Sequence, residues 1–98
     1  MKDLSLLFKD AEKIKAKIEQ ALKEIEVEGS SGGGMVKVTM DGNFQVLKVQ
    51  LDPTVVDEKD IEMLEDLILA AVNDAKQKAA DAAKEAVSSS IGFRLPVW

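Results

Sequence analysis

Met35-Val36-Lys37-Val38-Thr39-Met40-Asp41-Gly42, continued by Asn43-Phe44-Gln45-Val46-Leu47-Lys48-Val49-Gln50-Leu51, is the stretch that decides the fold. Val36, Val38 and Met40 alternate with Lys37 and Thr39, which gives a strand one apolar and one polar face. Asp41-Gly42 signals a hairpin turn, because glycine supplies the positive φ such a turn demands. The return strand spans about 44–51. Leu47, Val49 and Leu51 share one face, Lys48 and Gln50 the other, and Phe44 and Val46 fall on the Lys48 side. Either a bulge near Val46 or a partly covered second face would reconcile this. Asp52-Pro53 ends the strand, since proline cannot donate to the ladder.

Upstream, Glu24-Ile25-Glu26-Val27-Glu28 alternates and reads as a short strand over about 25–29. The run Gly29-Ser30-Ser31-Gly32-Gly33-Gly34 follows. A phosphate-cradling loop would need Gly-Lys-Ser/Thr opening a helix, and here a strand follows. A flexible hairpin connection is the better reading. Before it, residues 3–23 read as a helix. Leu4, Leu7, Ala11, Ile14, Ile18, Ala21 and Ile25 recur with a mean period of about 3.5, an a/d seam. Packing within the chain and pairing with a second copy are both open for that seam.

The second helix is expected over 58–88, with Asp57 as N-cap and Glu58, Asp60 and Glu62 at the positive end of the helix dipole. That role explains the acidic cluster without a metal. Its stripe, Ile61, Leu64, Ile68, Ala71, Ala75, Ala79, Ala82 and Ala86, changes from large residues to alanine halfway along. Large residues suit a sheet-covered core; alanines suit close helix–helix approach or weak burial. The helix should fade around Ser88-Ser89-Ser90, leaving the tail 91–98. Residues 1–90 thus form a single domain of two helices flanking two or three antiparallel strands. Helices of roughly 46 and 30 Å outrun strands of about 17–23 Å. Their far ends must project as an arm whose apolar stripe needs a partner, so a homodimer is expected.

Composition narrows the function. The chain has 98 residues, 46% of them hydrophobic, a net charge of -5, and no cysteine, histidine or tyrosine. Disulfides, thiolate metal sites and most nucleophile–base pairs are excluded. No enzyme activity, cofactor, metal or small-molecule substrate is expected. No apolar run nears the roughly 20 residues that span a membrane, and Lys9 and Asp10 interrupt any signal-peptide core. A cytoplasmic location follows as the expectation.

Val27-Glu28-Gly29-Ser30-Ser31-Gly32-Gly33-Gly34-Met35-Val36-Lys37-Val38-Thr39-Met40-Asp41-Gly42, then Val49-Gln50-Leu51-Asp52-Pro53, then Met63-Leu64-Glu65-Asp66-Leu67-Ile68-Leu69-Ala70-Ala71-Val72-Asn73-Asp74-Ala75, resembles the YbaB/EbfC family of bacterial nucleoid-associated proteins. The tail Gly92-Phe93-Arg94-Leu95-Pro96 is similar to that family's ending. The resemblance implies an α+β protomer of order α-β-β-β-α, a homodimer with projecting helical arms, and binding of double-stranded DNA in the nucleoid with little or broad sequence preference. Lys9-Asp10-Ala11-Glu12-Lys13-Ile14-Lys15-Ala16-Lys17-Ile18 departs from the glutamine- and methionine-rich run frequent there.

An acidic chain can bind DNA if its charge is segregated. Residues 1–23 carry +2, residues 24–75 carry -9 and residues 76–98 carry +2. Antiparallel helices would set the start of the first beside the end of the second and gather about +4 on the arm of each protomer. With screening over about 8 Å, a phosphate senses the near patch first. Lys9, Lys13 and Lys17 form an i, i+4, i+8 ridge; Lys76 and Lys84 share a face; Arg94 follows. These six are the candidate DNA contacts. Leu4, Leu7, Ala11, Ile14, Ile18, Ala79 and Ala82 are the candidate dimer or helix-packing residues. A lone arginine argues against base readout. The competing expectation is a dimeric helical scaffold that binds another protein through its acidic middle or apolar tail, without DNA.

Overall fold

The computed structural model describes the backbone of residues 2–91 and side chains from 8 to 89. Helix α1 (Lys2–Glu24) leads into strand β1 (Val27–Ser31). A 3-10 turn (Gly32–Gly34) precedes β2 (Val36–Met40) and β3 (Val46–Leu51). A second 3-10 turn (Pro53–Val55) precedes helix α2 (Ile61–Ile91). The sheet is an antiparallel meander of order β1-β2-β3. This is the expected α-β-β-β-α order. The 91–98 tail, apart from the backbone of Ile91, lies outside the described residues.

Boundaries differ for identifiable reasons. β1 is 27–31 rather than 25–29, so Ser30 and Ser31 also belong to the strand and only Gly32, Gly33 and Gly34 of the glycine-serine run turn the chain. All three have positive φ, at 59°, 69° and 92°. β3 begins at Val46, not at Phe44. The Asp41 carboxylate accepts from the amides of Asn43 (2.8 Å) and Gln45 (3.0 Å), and Phe44 takes a φ of 65° between them. α2 begins at Ile61, and its cap is Asp60 rather than Asp57. Asp60 Oδ1 accepts from the Met63 amide at 3.1 Å, whereas Asp57 closes the preceding turn through the Lys59 amide at 2.9 Å. Ser88, Ser89 and Ser90 do not end the helix. Extending an established helix costs little, and serine disfavours it only slightly.

The bulge near Val46 exists. Thr39 pairs with Lys48 and Met40 with Val46, so Leu47 is the extra residue. Val46 therefore joins Val49 and Leu51 on the helix side of the sheet, and Leu47 leaves that row.

Val36, Val38 and Met40 are buried as their alternation predicts. Val55, Ala71, Ala75 and Ala79 complete the core, with Leu64, Leu67, Ile68 and Val72 packed against it. The first three alanines of the stripe serve the sheet instead of a helix: Ala71, Ala75 and Ala79 lie fully buried against it. Gly29 is the reason. It lets β1 come so near α2 that only small side chains fit between. α2 packs over β1 and β2. The helix-side residues of β3 stay open, with Val46, Val49 and Leu51 at 44%, 50% and 39% exposure. The molecule measures 68 × 23 × 17 Å.

Candidate nucleic-acid interface

The arm comes from the order in which α2 meets its neighbours. Ala71 to Ala79 cross the sheet; Ala80, Ala83 and Val87 then line, together with Leu22 near the end of α1, one apolar recess. The Gly42 amide donates to the Leu22 carbonyl at 3.0 Å and fixes that junction to the hairpin turn. α1 then runs on alone. Ile18, Ala21 and Leu22 are half-buried, and every residue from 8 to 17 is exposed. The expected pairing of the start of α1 with the end of α2 falls largely outside the described residues; within them, α1 is exposed from 8 to 17. α2 spends its first five turns on the sheet, and among the described residues the half-buried positions of α1 before its final turn are Ile18, Ala21 and Leu22.

Lys9, Lys13 and Lys17 lie on this free stretch, all exposed and one turn apart. Lys76 and Lys84 are exposed on α2, below the arm. Lys84 edges an apolar recess of about 430 Å³ lined by Leu22, Phe44, Ala83 and Val87. Arg94 lies outside the described residues. The exposed acids Glu58, Asp60, Glu62, Glu65 and Asp66 occupy the start of α2, at the opposite end of that helix. Among the described residues no group of three acidic side chains could hold a metal, and no helix is long and apolar enough to cross a membrane.

The packing residues divide. Ala79 is buried against the sheet, while Ala82 and Ile18 are half-buried. Ala11 is exposed and Ile14 is 42% exposed. Leu4 and Leu7 stand on α1, but their side chains fall outside the described residues.

Two features escaped the sequence. Lys78 and Asp74 pair at 3.1 Å, an i, i+4 contact visible from spacing. What spacing hides is that both also seal the outer edge of β1. Asp74 accepts from the Ser30 amide at 2.9 Å, and Lys78 donates to the Glu28 carbonyl at 3.0 Å. The Ser30 amide first, and Lys78 second, hold the Asp74 carboxyl below its ordinary pKa. The Thr54 amide does the same for Asp52. Ser31 adds a hydroxyl bond to the Leu67 carbonyl. The equally spaced Glu19 and Lys23 form no such pair; Gln20 bonds Glu24 instead. The second feature is the open apolar side of β3; Phe44 at 46% and the bulged Leu47 at 49% exposure are open as well. Apolar residues on both parities of Phe44 to Leu51 were its only sequence signal.

The family model described as the YbaB/EbfC DNA-binding family matches residues 1–93. A nucleoid-associated protein of Paramagnetospirillum magneticum is 47% identical over 100 residues, spanning 98% of this chain and 94% of its own. A nucleoid-associated protein of Legionella pneumophila strain Corby is 46% identical over 98 residues, spanning 96% and 87%. In three dimensions the chain is similar to the crystal structure of an uncharacterized protein from Helicobacter pylori. There the TM-score is 0.78 at 24% identity, covering 94% of this chain and 97% of that one.

Proposed function

Because the chain belongs to the YbaB/EbfC DNA-binding family, we propose that it is a nucleoid-associated protein that binds double-stranded DNA as a homodimer, mainly through phosphate contacts. The observation that carries this reading is the free stretch of α1. Lys9, Lys13 and Lys17 stand exposed in one row on a helix with no sheet beneath it. Among the described residues, Lys78–Asp74 is the sole ion pair, so the row has its charge available to phosphates. Lys76, Lys84 and Arg94 are proposed to extend the contact toward the base of the arm. With one arginine in the chain, sequence preference is expected to be slight.

The homodimer reading is supported by the open side of β3. Edge β1 is sealed by Asp74 and Lys78, while β3 presents an uncovered apolar row. A second copy meeting that row would bury it and leave the arms pointing outward. The test is to titrate duplex DNA at two salt concentrations, with sedimentation for stoichiometry. Binding by two chains per duplex site, falling along the counterion slope, is expected. Absence of binding at low salt overturns the DNA reading in favour of a protein-binding scaffold.

A further inference from the structure

DNA binding through the arm leaves one face of the sheet without a role. Val36, Val38 and Met40 are buried toward α2, so Lys37 and Thr39 point away from it. The strand register carries that far face across the sheet. Glu28, Thr39 and Lys48 form one cross-strand row; Ser30, Lys37 and Gln50 form the next. The four outer residues are exposed, and the two on the central strand are half-buried between them. α2 packs on the opposite face and α1 packs on α2, so no described helix lies over these rows. Val46, Val49 and Leu51 also belong to the α2 side, so a second copy seated on them leaves the far face open.

The charge of this face is opposite to that of its surroundings. Residues 24–75 hold twelve carboxylates and three lysines. Lys37 and Lys48 stand in the two rows, and Glu28 is the one carboxylate there. The two lysines are diagonal neighbours across the β2–β3 ladder, about 7–8 Å apart. Glu28 stands diagonal to Lys37 on the other side, and among the described residues neither lysine forms an ion pair. Asp52 flanks the second row, but its carboxylate is taken by the amide and hydroxyl of Thr54, at 2.9 and 2.8 Å. The remaining side chains, Ser30, Thr39 and Gln50, are neutral donors. Lysine, serine, threonine and glutamine are side chains that proteins turn to the phosphates and sugars of DNA. A surface built to dock a protein has an apolar or aromatic centre and few lysines, and these rows have no apolar residue.

We infer that the far face of the sheet is a second phosphate-binding surface for duplex DNA, separate from the arm, with Lys37 and Lys48 as its charged contacts. Thr39 and Gln50, each directly across from one of the lysines, donate to the same backbone. The partner is that of the proposed function, on which this surface rests; its place, on the body of the molecule, is new.

The full chain carrying Lys37→Gln and Lys48→Gln tests it, by mobility shift on one duplex over a salt series. The double variant should flatten the slope of log affinity against log salt by about 0.9 for each lysine that touches a phosphate. Lys59→Gln takes charge from the turn before α2, beside Asp57 and Asp60, and should leave the slope unchanged. Gln50→Lys should steepen it. Circular dichroism checks each variant, and Lys48→Gln alone, at an exposed position, serves if the pair does not fold. If wild type binds and the double variant keeps its slope, or if Lys59→Gln flattens the slope as much per lysine, the sheet-face contact is overturned and the arm reading stands. If wild type does not bind at low salt, the DNA reading falls and the sheet-face contact falls with it.

Discussion

At Gly29 the absence of a side chain sets the spacing between helix and sheet. A methyl group there would lie 2.5 Å from the Ala71 carbonyl oxygen and closer still to the Ala75 amide nitrogen. Both are backbone atoms inside a helix, so neither can swing aside. Gly29→Ala must therefore lift α2 from β1 and open the core around Val38 and Ala75. The expected loss is about 3 kcal/mol, at the upper end of overpacking costs. Urea denaturation measures it; a loss below about 1 kcal/mol would mean that α2 slides freely on the sheet. Asp74 makes a second prediction. Its carboxyl is held below the ordinary range by the Ser30 amide and then Lys78. A depressed folded-state pKa stabilises the fold above the unfolded value, about 3.9 for aspartate. That contribution disappears as pH falls from there through the folded-state value. Asp74→Asn should lower the urea midpoint at pH 7 and narrow its gap from wild type toward pH 3. An equal gap at both pH values would assign the effect to packing instead of charge.

Each helix has two parts, and the division fixes what a substitution does. In α2 the first half carries acids outward and the middle carries alanines onto Gly29. In α1 the last turns are pinned by Leu22, and residues 8–17 are exposed. Lys13→Gln with Lys17→Gln should therefore weaken DNA binding without disturbing the fold. Each lysine that touches a phosphate contributes about 0.9 to the slope of log affinity against log salt. The double variant should flatten that slope by about 1 to 2 per arm, uniformly across sequences. Unchanged mobility-shift affinity would rule the row out. This row was readable in the sequence because helix periodicity is local: residues four apart must share a face. The β2 core face was readable because strand alternation is local too; the hairpin turn stood where Asp41-Gly42 announced it, but its positive φ falls on Phe44 and not on Gly42 as expected. The meaning of the alanines was not. A small residue announces close approach, but its partner, Gly29, lies more than forty positions away from Ala71. The Leu47 bulge and the Ser30–Asp74 bond likewise depend on register between distant segments, which one strand's pattern does not specify.

The whole molecule has one sealed sheet edge and one open side. β1 is closed by its own helix, and β3 exposes the row Val46, Val49 and Leu51. A row this apolar on an edge strand invites uncontrolled pairing unless one defined partner takes it. If that partner is a second copy, two arms act on one duplex and the second contact becomes intramolecular. Val49→Glu places a charge in the centre of the row. Val49 is already 50% exposed in the single chain, so the fold should survive, as circular dichroism would verify. Sedimentation velocity should then report one chain where wild type reports two. DNA affinity should fall by about 100-fold or more, the loss expected when linked contacts are separated, although no lysine has changed. A Val49→Glu protein that still sediments as two chains would move the twofold contact elsewhere. Equal DNA affinity from a proven monomer would show that a single arm suffices.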